Sequence, residues 1–133
     1  MSKEEQLSGY KDSEKLKNYE SWLYGTEDPA NHTRYYTYYS LLPSLKGKVI
    51  LDFPSGLGHK ARRAILQGGA KKVIAVDIVF EQIELSKVKD KQAGIKEGQI
   101  EYIVHDANIP KALAAVKADI CLCVHLFCFA PIK

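Results

Sequence analysis

The sequence predicts an α/β fold: a doubly wound parallel sheet preceded by short helices. Three observations carry that prediction. Four apolar runs, VILDF (49–53), KKVIAVD (71–77), IEYIVHD (100–106) and ADICLCVHLFCFA (118–130), alternate with stretches of helical periodicity. A glycine-bearing turn, SGLG (55–58), joins the first run to the helical tract behind it. The first three runs also end on or beside an acid: Asp52, Asp77 and Asp106. Parallel strands joined by crossover helices give the order 3-2-1-4, with a ligand expected beyond the carboxyl ends of strands 1 and 4, where the winding reverses.

The elements follow in order. In DSEKLKNYESWLY (12–24), Leu16, Tyr19 and Leu23 recur at helical spacing with Trp22 beside them, which predicts a short amphipathic helix. A second helix starts with Asp28 as N-cap and Pro29 in the first turn. It carries Tyr35, Tyr38, Tyr39 and Leu42 as a stripe that packs it, and it ends near Pro43. The pattern changes at Lys46, so residues 1–45 read as a helical cap segment and 46–133 as the α/β unit. HKARRAILQGG (59–69) reads as a helix stopped by Gly68 or Gly69. Phe80, Ile83, Lys87 and Val88 define the next helix, AGIKEG is a linker, and residues 109–117 form a short alanine-rich helix.

Composition excludes several classes. With 133 residues, 46% apolar and 26% charged, the chain fits one soluble domain, and no apolar run reaches the roughly 18 residues that span a bilayer. The N-terminus lacks the apolar centre of a secretory signal, and the three cysteines are odd in number and crowded into one run. Both features predict a reduced, cytoplasmic protein. The net charge of +3 is mild and its lysines are interleaved with acids, so no nucleic-acid partner is expected. The basic tract HKARR is read as a set of side chains reaching into solvent.

The turn carries the chemistry. Gly56, Gly58 and Ala61 fit G-x-G-x-x-A after a strand and at the start of a helix, and Asp77 closes the next strand about twenty residues on, where an acid holds ribose hydroxyls. Asp52 separates two cofactor classes. An acid there repels the pyrophosphate of a dinucleotide but suits a sulfonium cofactor that also bears an ammonium group. The residues therefore favour S-adenosylmethionine over NAD.

VILDFPSGLG (49–58) resembles the first signature of class I, Rossmann-like S-adenosylmethionine-dependent methyltransferases, and the resemblance extends from residue 46 to about 129. It implies that Pro54, Ser55, Gly56 and Gly58 wrap the cofactor beside Asp52. It further implies that Asp77 binds the ribose with Ile78 near the adenine, that Asp106 and Ala107 meet the adenine amino group, and that main chain at Cys123 and Val124 faces the methionine end. Asp119 falls at the acid that opens the family's fourth strand. The implied activity is methyl transfer to a small-molecule acceptor, with S-adenosylhomocysteine as product and Tyr10, Tyr19, Trp22, Tyr24 and Arg34 as candidates for lining the acceptor site. The catalytic residues stay open, because orientation alone supplies much of the rate in such a displacement.

Two departures qualify the resemblance. Pro54 stands where the family has its first loop glycine; proline offers no N–H but keeps a carbonyl acceptor for the ammonium. The family's strands beyond the fourth have no counterpart, so the chain reads as truncated, with strand 4 as an edge able to pair with a second copy or a partner. A catalytically inactive adenosyl-binding or regulatory module is the alternative from a different class. No metal site is expected, since Cys121 to His125 spans about 13 Å on a strand, and these thiols are read as buried. His59 and His105 are read as surface or packing residues.

Overall fold

The structure, a computed structural model, describes residues 4, 8, 11, 12, 14, 15, 17, 18, 29–106 and 113–124. The chain divides into two compact units, Met1–Ser44 and Leu45–Lys133. In the first unit the described residues up to Asn18 are helical except Asp12. Asp12 acts as a cap: its Oδ1 accepts the N–H groups of Glu14 (3.0 Å) and Lys15 (3.1 Å), which hold its carboxyl below the usual carboxylate range. Helix α1 spans Pro29–Ser40, with proline in the first turn where its missing N–H costs nothing. Tyr38 and Tyr39 are half-buried and meet edge to face at 5.3 Å, whereas Tyr36 is exposed. The expected cap Asp28 lies outside the described residues.

The second unit is the α/β sheet. Its elements are β1 (Val49–Asp52), α2 (His59–Leu66), β2 (Lys72–Asp77), α3 (Phe80–Gln92), β3 (Ile100–Val104) and β4 (Ile120–Leu122). The order is β3-β2-β1-β4 and every pairing is parallel, as the alternation of strand and helix requires. Helix α2 packs on β1 and β2, and α3 on β2 and β3. Between them Ile50, Val73, Val76, Ile83 and Leu122 are fully buried, each contributing about 1.5–3 kcal/mol from burial. Asp119 aligns β4 with β1: Val49 N–H donates to its Oδ2 and its own N–H donates to the Val49 carbonyl, both at 2.8 Å. No helix among the described residues is long and apolar enough to cross a membrane.

Three expectations are corrected. Helix α3 forms where Phe80, Ile83, Lys87 and Val88 predict it, but of these only Ile83 is buried; Phe80 and Val88 are 56% and 53% exposed, and the rest of the buried face is Gln82, Ser86 and Asp90. The tract HKARR is not solvated throughout: Lys60 and Arg62 are only 7% and 8% exposed, and Arg63 is the one exposed residue of the five. Of the predicted 109–117 helix, the described portion is a tight turn closed by Val116 N–H to the Leu113 carbonyl at 3.0 Å.

The first two corrections share one cause. Arg62 reaches from α2 beneath the glycine turn, where Nη1 pairs with Asp90 Oδ1 at 2.9 Å and Nη2 donates to the Leu57 carbonyl. Tyr102 on β3 donates its hydroxyl to the other Asp90 oxygen at 2.8 Å, and burial, followed by Asp90, pushes its phenol pKa upward. Ser86 Oγ lies within bonding distance of the Gln82 carbonyl (2.8 Å) and the Gly56 carbonyl (3.2 Å). A buried ion pair of this kind is tolerated only when its remaining donors and acceptors are filled, and here the Leu57 and Ser86 carbonyls accept from Arg62 while the Tyr102 hydroxyl donates to Asp90.

Gly58 sits directly on this network. Its φ is +76°, and a Cβ there would lie 2.8 Å from Tyr102 Oη, 2.9 Å from Arg62 Nη1 and 3.2 Å from Ser86 Oγ. Gly94 has nearly the same φ, +78°, with nothing within 4 Å of a Cβ. Urea denaturation therefore separates packing from backbone strain: Gly94→Ala costs about 1 kcal/mol, whereas Gly58→Ala costs roughly 2–3 kcal/mol. Equal losses would show that the network does not require the glycine.

Candidate functional site

Strand ends bring three acids to one edge of the sheet. Asp52 ends β1 and is 0% exposed; Asp77 ends the neighbouring β2 and is also buried; Asp106 follows β3 by two residues and is half-buried. Asp106 comes near because β3 pairs with β2 up to Val104 opposite Asp77, after which His105 N–H donates to the Asp77 carbonyl at 2.8 Å.

The turn above these acids is tied down on several sides. Phe53 N–H donates to the Leu122 carbonyl (3.0 Å), extending the β1–β4 pairing, and the Phe53–Pro54 peptide bond is cis. Ser55 N–H donates to the Val76 carbonyl at 2.9 Å, and Gly56 N–H donates to Asp77 Oδ2 at 2.8 Å. Asp77 Oδ1 accepts the Val79 N–H at 3.0 Å. A carboxylate has about four acceptor positions, so Asp77 organises the turn and keeps capacity for ligand hydroxyls. Pro54 offers only its carbonyl, which accepts from the Lys60 ammonium at 3.2 Å.

Asp52 has a different environment. Lys60 Nζ lies 3.4 Å from its Oδ1, within ion-pair range, yet neither Asp52 oxygen accepts a well-directed hydrogen bond, and the buried Ser55 hydroxyl also lacks a partner. Burial pushes the Asp52 pKa up to about 6, against the opposing pull of Lys60 and the nearby Ala61 N–H, and Asp77 adds repulsion. Burial raises the Asp77 pKa too, opposed by its bonds from Val79 and Gly56. Native interiors leave few polar atoms unpaired. The orphaned oxygens of Asp52 and Ser55 fit a ligand that brings donors, which is what an ammonium-bearing adenosyl cofactor supplies.

The other expected residues fall as follows. Ile78, after β2, is half-buried; Gly56 and Gly58 adopt the positive φ that the turn needs. Cys123 follows β4, one residue past Leu122, which pairs with Asp52, and the charges of Lys60 and Asp52 both act on its thiol. Cys121 and Cys123 are exposed, which corrects the reading of buried thiols: β4 is a three-residue edge strand, and only Leu122 turns into the core. His59 and His105 are half-buried. Arg34 lies in α1, while Tyr10, Tyr19, Trp22, Tyr24, Ala107 and His125 lie outside the described residues. Among the described residues no three His, Cys, Asp or Glu side chains converge on a metal position.

The sequence reading missed Lys60, Arg62, Ser86 and Asp90. A signal was present: Gln82, Ser86 and Asp90 recur every four residues along α3, a polar stripe at the period of a buried helix face.

A family model described as "Methyltransferase domain" matches residues 51–132. A Pyrococcus horikoshii protein assigned as an RNA methyltransferase is 26% identical, with TM-score 0.52, over 75% of this chain and 47% of its own. The C-terminal domain of the precorrin-6Y methyltransferase from Rhodobacter capsulatus is 19% identical, with TM-score 0.53, over 71% and 48%. An S-adenosylmethionine dependent methyltransferase from Mesorhizobium loti matches at 22% identity and TM-score 0.49 over 55% of this chain and 31% of its own. The chain thus spans between 31% and 48% of the length of these solved structures. A search of curated protein sequences finds no match.

The raised Asp52 pKa has a testable sign. Asp52 binds its proton more tightly in the folded state than in the unfolded one, where the value is 3.8, so its contribution to stability is fullest below that value and fades as pH rises through about 6. On moving from pH 7.5 to pH 5, wild-type protein gains about 1 kcal/mol relative to Asp52→Asn in urea unfolding. A difference that stays constant over that range would place the Asp52 pKa near its ordinary value.

Proposed function

Because the chain belongs to the methyltransferase domain family, we propose that its Leu45–Lys133 unit binds S-adenosylmethionine across the ends of β1, β2 and β3 and presents the methyl group to a small-molecule acceptor. S-adenosylmethionine is the cofactor of this family. The observation that carries the reading is the pair of buried strand-end acids, with Asp77 holding the glycine turn through Gly56 N–H and Asp52 left without a well-directed donor.

Each residue has a distinct part. Asp77 accepts the ribose hydroxyls while keeping the turn in place; Ile78 lies against the adenine, and Asp106 with Ala107 meets its amino group. Asp52, with the carbonyl of Pro54 and the hydroxyl of Ser55, receives the ammonium of the amino-acid end, beside the main chain of Cys123. Gly56 and Gly58 let the backbone approach closely. When bound, the sulfonium supplies an electrophilic methyl group. The chain's contribution is to orient that end and keep it dry, which supplies rate without a dedicated base. S-adenosylhomocysteine is the product.

A buried carboxylate below the turn disfavours a pyrophosphate there, which argues against NAD. Two features favour a small acceptor over RNA. The net charge is a mild +3, and the basic tract beside the turn sends Arg62 inward to Asp90, leaving it unavailable to phosphates. Tyr10, Tyr19, Trp22, Tyr24 and Arg34 are the candidates for contacting that acceptor.

Calorimetry tests the cofactor reading. S-adenosylmethionine and S-adenosylhomocysteine give saturable heat and NAD gives none; Asp77→Ala, which removes charge-assisted bonds to both turn and ribose, weakens binding by roughly 10–100-fold. Heat with NAD alone, or unchanged affinity in the variant, contradicts it. Binding without transfer of labelled methyl to any acceptor would instead identify an adenosyl-binding module.

A further inference from the structure

The Lys60 side chain occupies an unusual place. It leaves the first turn of α2, where positive charge opposes the helix dipole, and turns inward instead of extending to solvent. Its ammonium stands 3.2 Å from the Pro54 carbonyl and 3.4 Å from Asp52 Oδ1. A carboxylate and a carbonyl converging on one point make a receptor for a primary ammonium, which has three donors to spend. The receptor is poorly satisfied, because both Asp52 oxygens still lack a directed hydrogen bond.

We infer that the ammonium of Lys60 is an internal stand-in for the ammonium of the cofactor's amino-acid end, occupying the Asp52–Pro54 receptor and leaving it when that ligand binds. The inference rests on the cofactor reading above and adds to it a specificity device carried by this chain. Two ammonium groups cannot share one buried carboxylate without strong repulsion, so one must go. Lysine can go: its charge sits on a flexible four-carbon stem, and Lys60 is on the first turn of its helix, beside the turn that follows β1. Without a ligand, Lys60 keeps the Asp52 charge from being buried alone. With one, part of the ligand's binding energy is spent on displacement, which lowers the advantage of ligands that carry the ammonium over those that lack it.

Two probes isolate the effect: S-adenosylhomocysteine, which carries the amino-acid group, and 5′-methylthioadenosine, which has the same nucleoside without it. Their affinity ratio is measured by calorimetry on the full chain, in wild type, Lys60→Met and Lys60→Gln. The inference expects the ratio to rise about tenfold or more in favour of S-adenosylhomocysteine in both variants, with methylthioadenosine affinity nearly unchanged. Should either variant fail to fold, the wild type still reports: in lysine-labelled protein, the Cε resonance of Lys60 moves toward that of an exposed lysine with S-adenosylhomocysteine and stays in place with methylthioadenosine. A ratio that falls in the variants, or a Lys60 resonance indifferent to S-adenosylhomocysteine, overturns the inference while leaving the cofactor reading intact. Binding of neither probe to wild type overturns the cofactor reading and the inference together.

Discussion

Two carboxylates, Asp52 and Asp77, are buried at the ends of neighbouring strands, and the turn above them is built around how the cost of that burial is offset. Asp77 is offset by backbone: the N–H groups of Gly56 and Val79 point at its two oxygens. Asp52 is offset by a side chain, the ammonium of Lys60, which also takes the Pro54 carbonyl. Both solutions use the turn itself, so the site and its scaffold are one hydrogen-bonded object. That coupling explains why a proline is tolerated at position 54. The donors that fix the turn come from Ser55, Gly56 and Gly58, and the one group used at Pro54 is a carbonyl that proline retains.

A second layer supports the first. Arg62 holds the Leu57 carbonyl, Ser86 approaches the Gly56 carbonyl, and Asp90 on α3, itself bonded by the Tyr102 hydroxyl from β3, anchors the guanidinium. The polar face of α3 is thus turned inward because the turn leaves backbone carbonyls to be satisfied beneath it. An apolar face in that position would strand them at about 1–3 kcal/mol each. Phe80 and Val88 remain outside as a consequence.

Much of the fold was legible in the sequence because strands and turns leave local marks. The apolar runs gave four parallel strands, and their alternation with helices gave the order β3-β2-β1-β4. The acids Asp52, Asp77 and Asp106 stood out as strand-end residues, since each closes an apolar run. What was not legible depends on partners distant in the chain. Lys60 and Arg62 look like a solvated basic tract until Asp52 and Asp90, on other elements, are brought beside them. Helix α3 misled for the same reason, as periodicity finds apolar faces and this buried face is largely polar. The thiols of Cys121 and Cys123 misled because apolar composition suggested a central strand, whereas β4 is a short edge.

The proposed adenosyl-cofactor site joins the turn following β1 to the ends of β2 and β3. Amide chemical shifts of labelled protein titrated with S-adenosylhomocysteine test it most directly. Saturable shifts concentrated at Gly56, Gly58, Ile78 and Asp106 are the expected result. Shifts confined to the opposite edge of the sheet, around Gly94 and Gly98, or no shifts at saturating ligand, would contradict it.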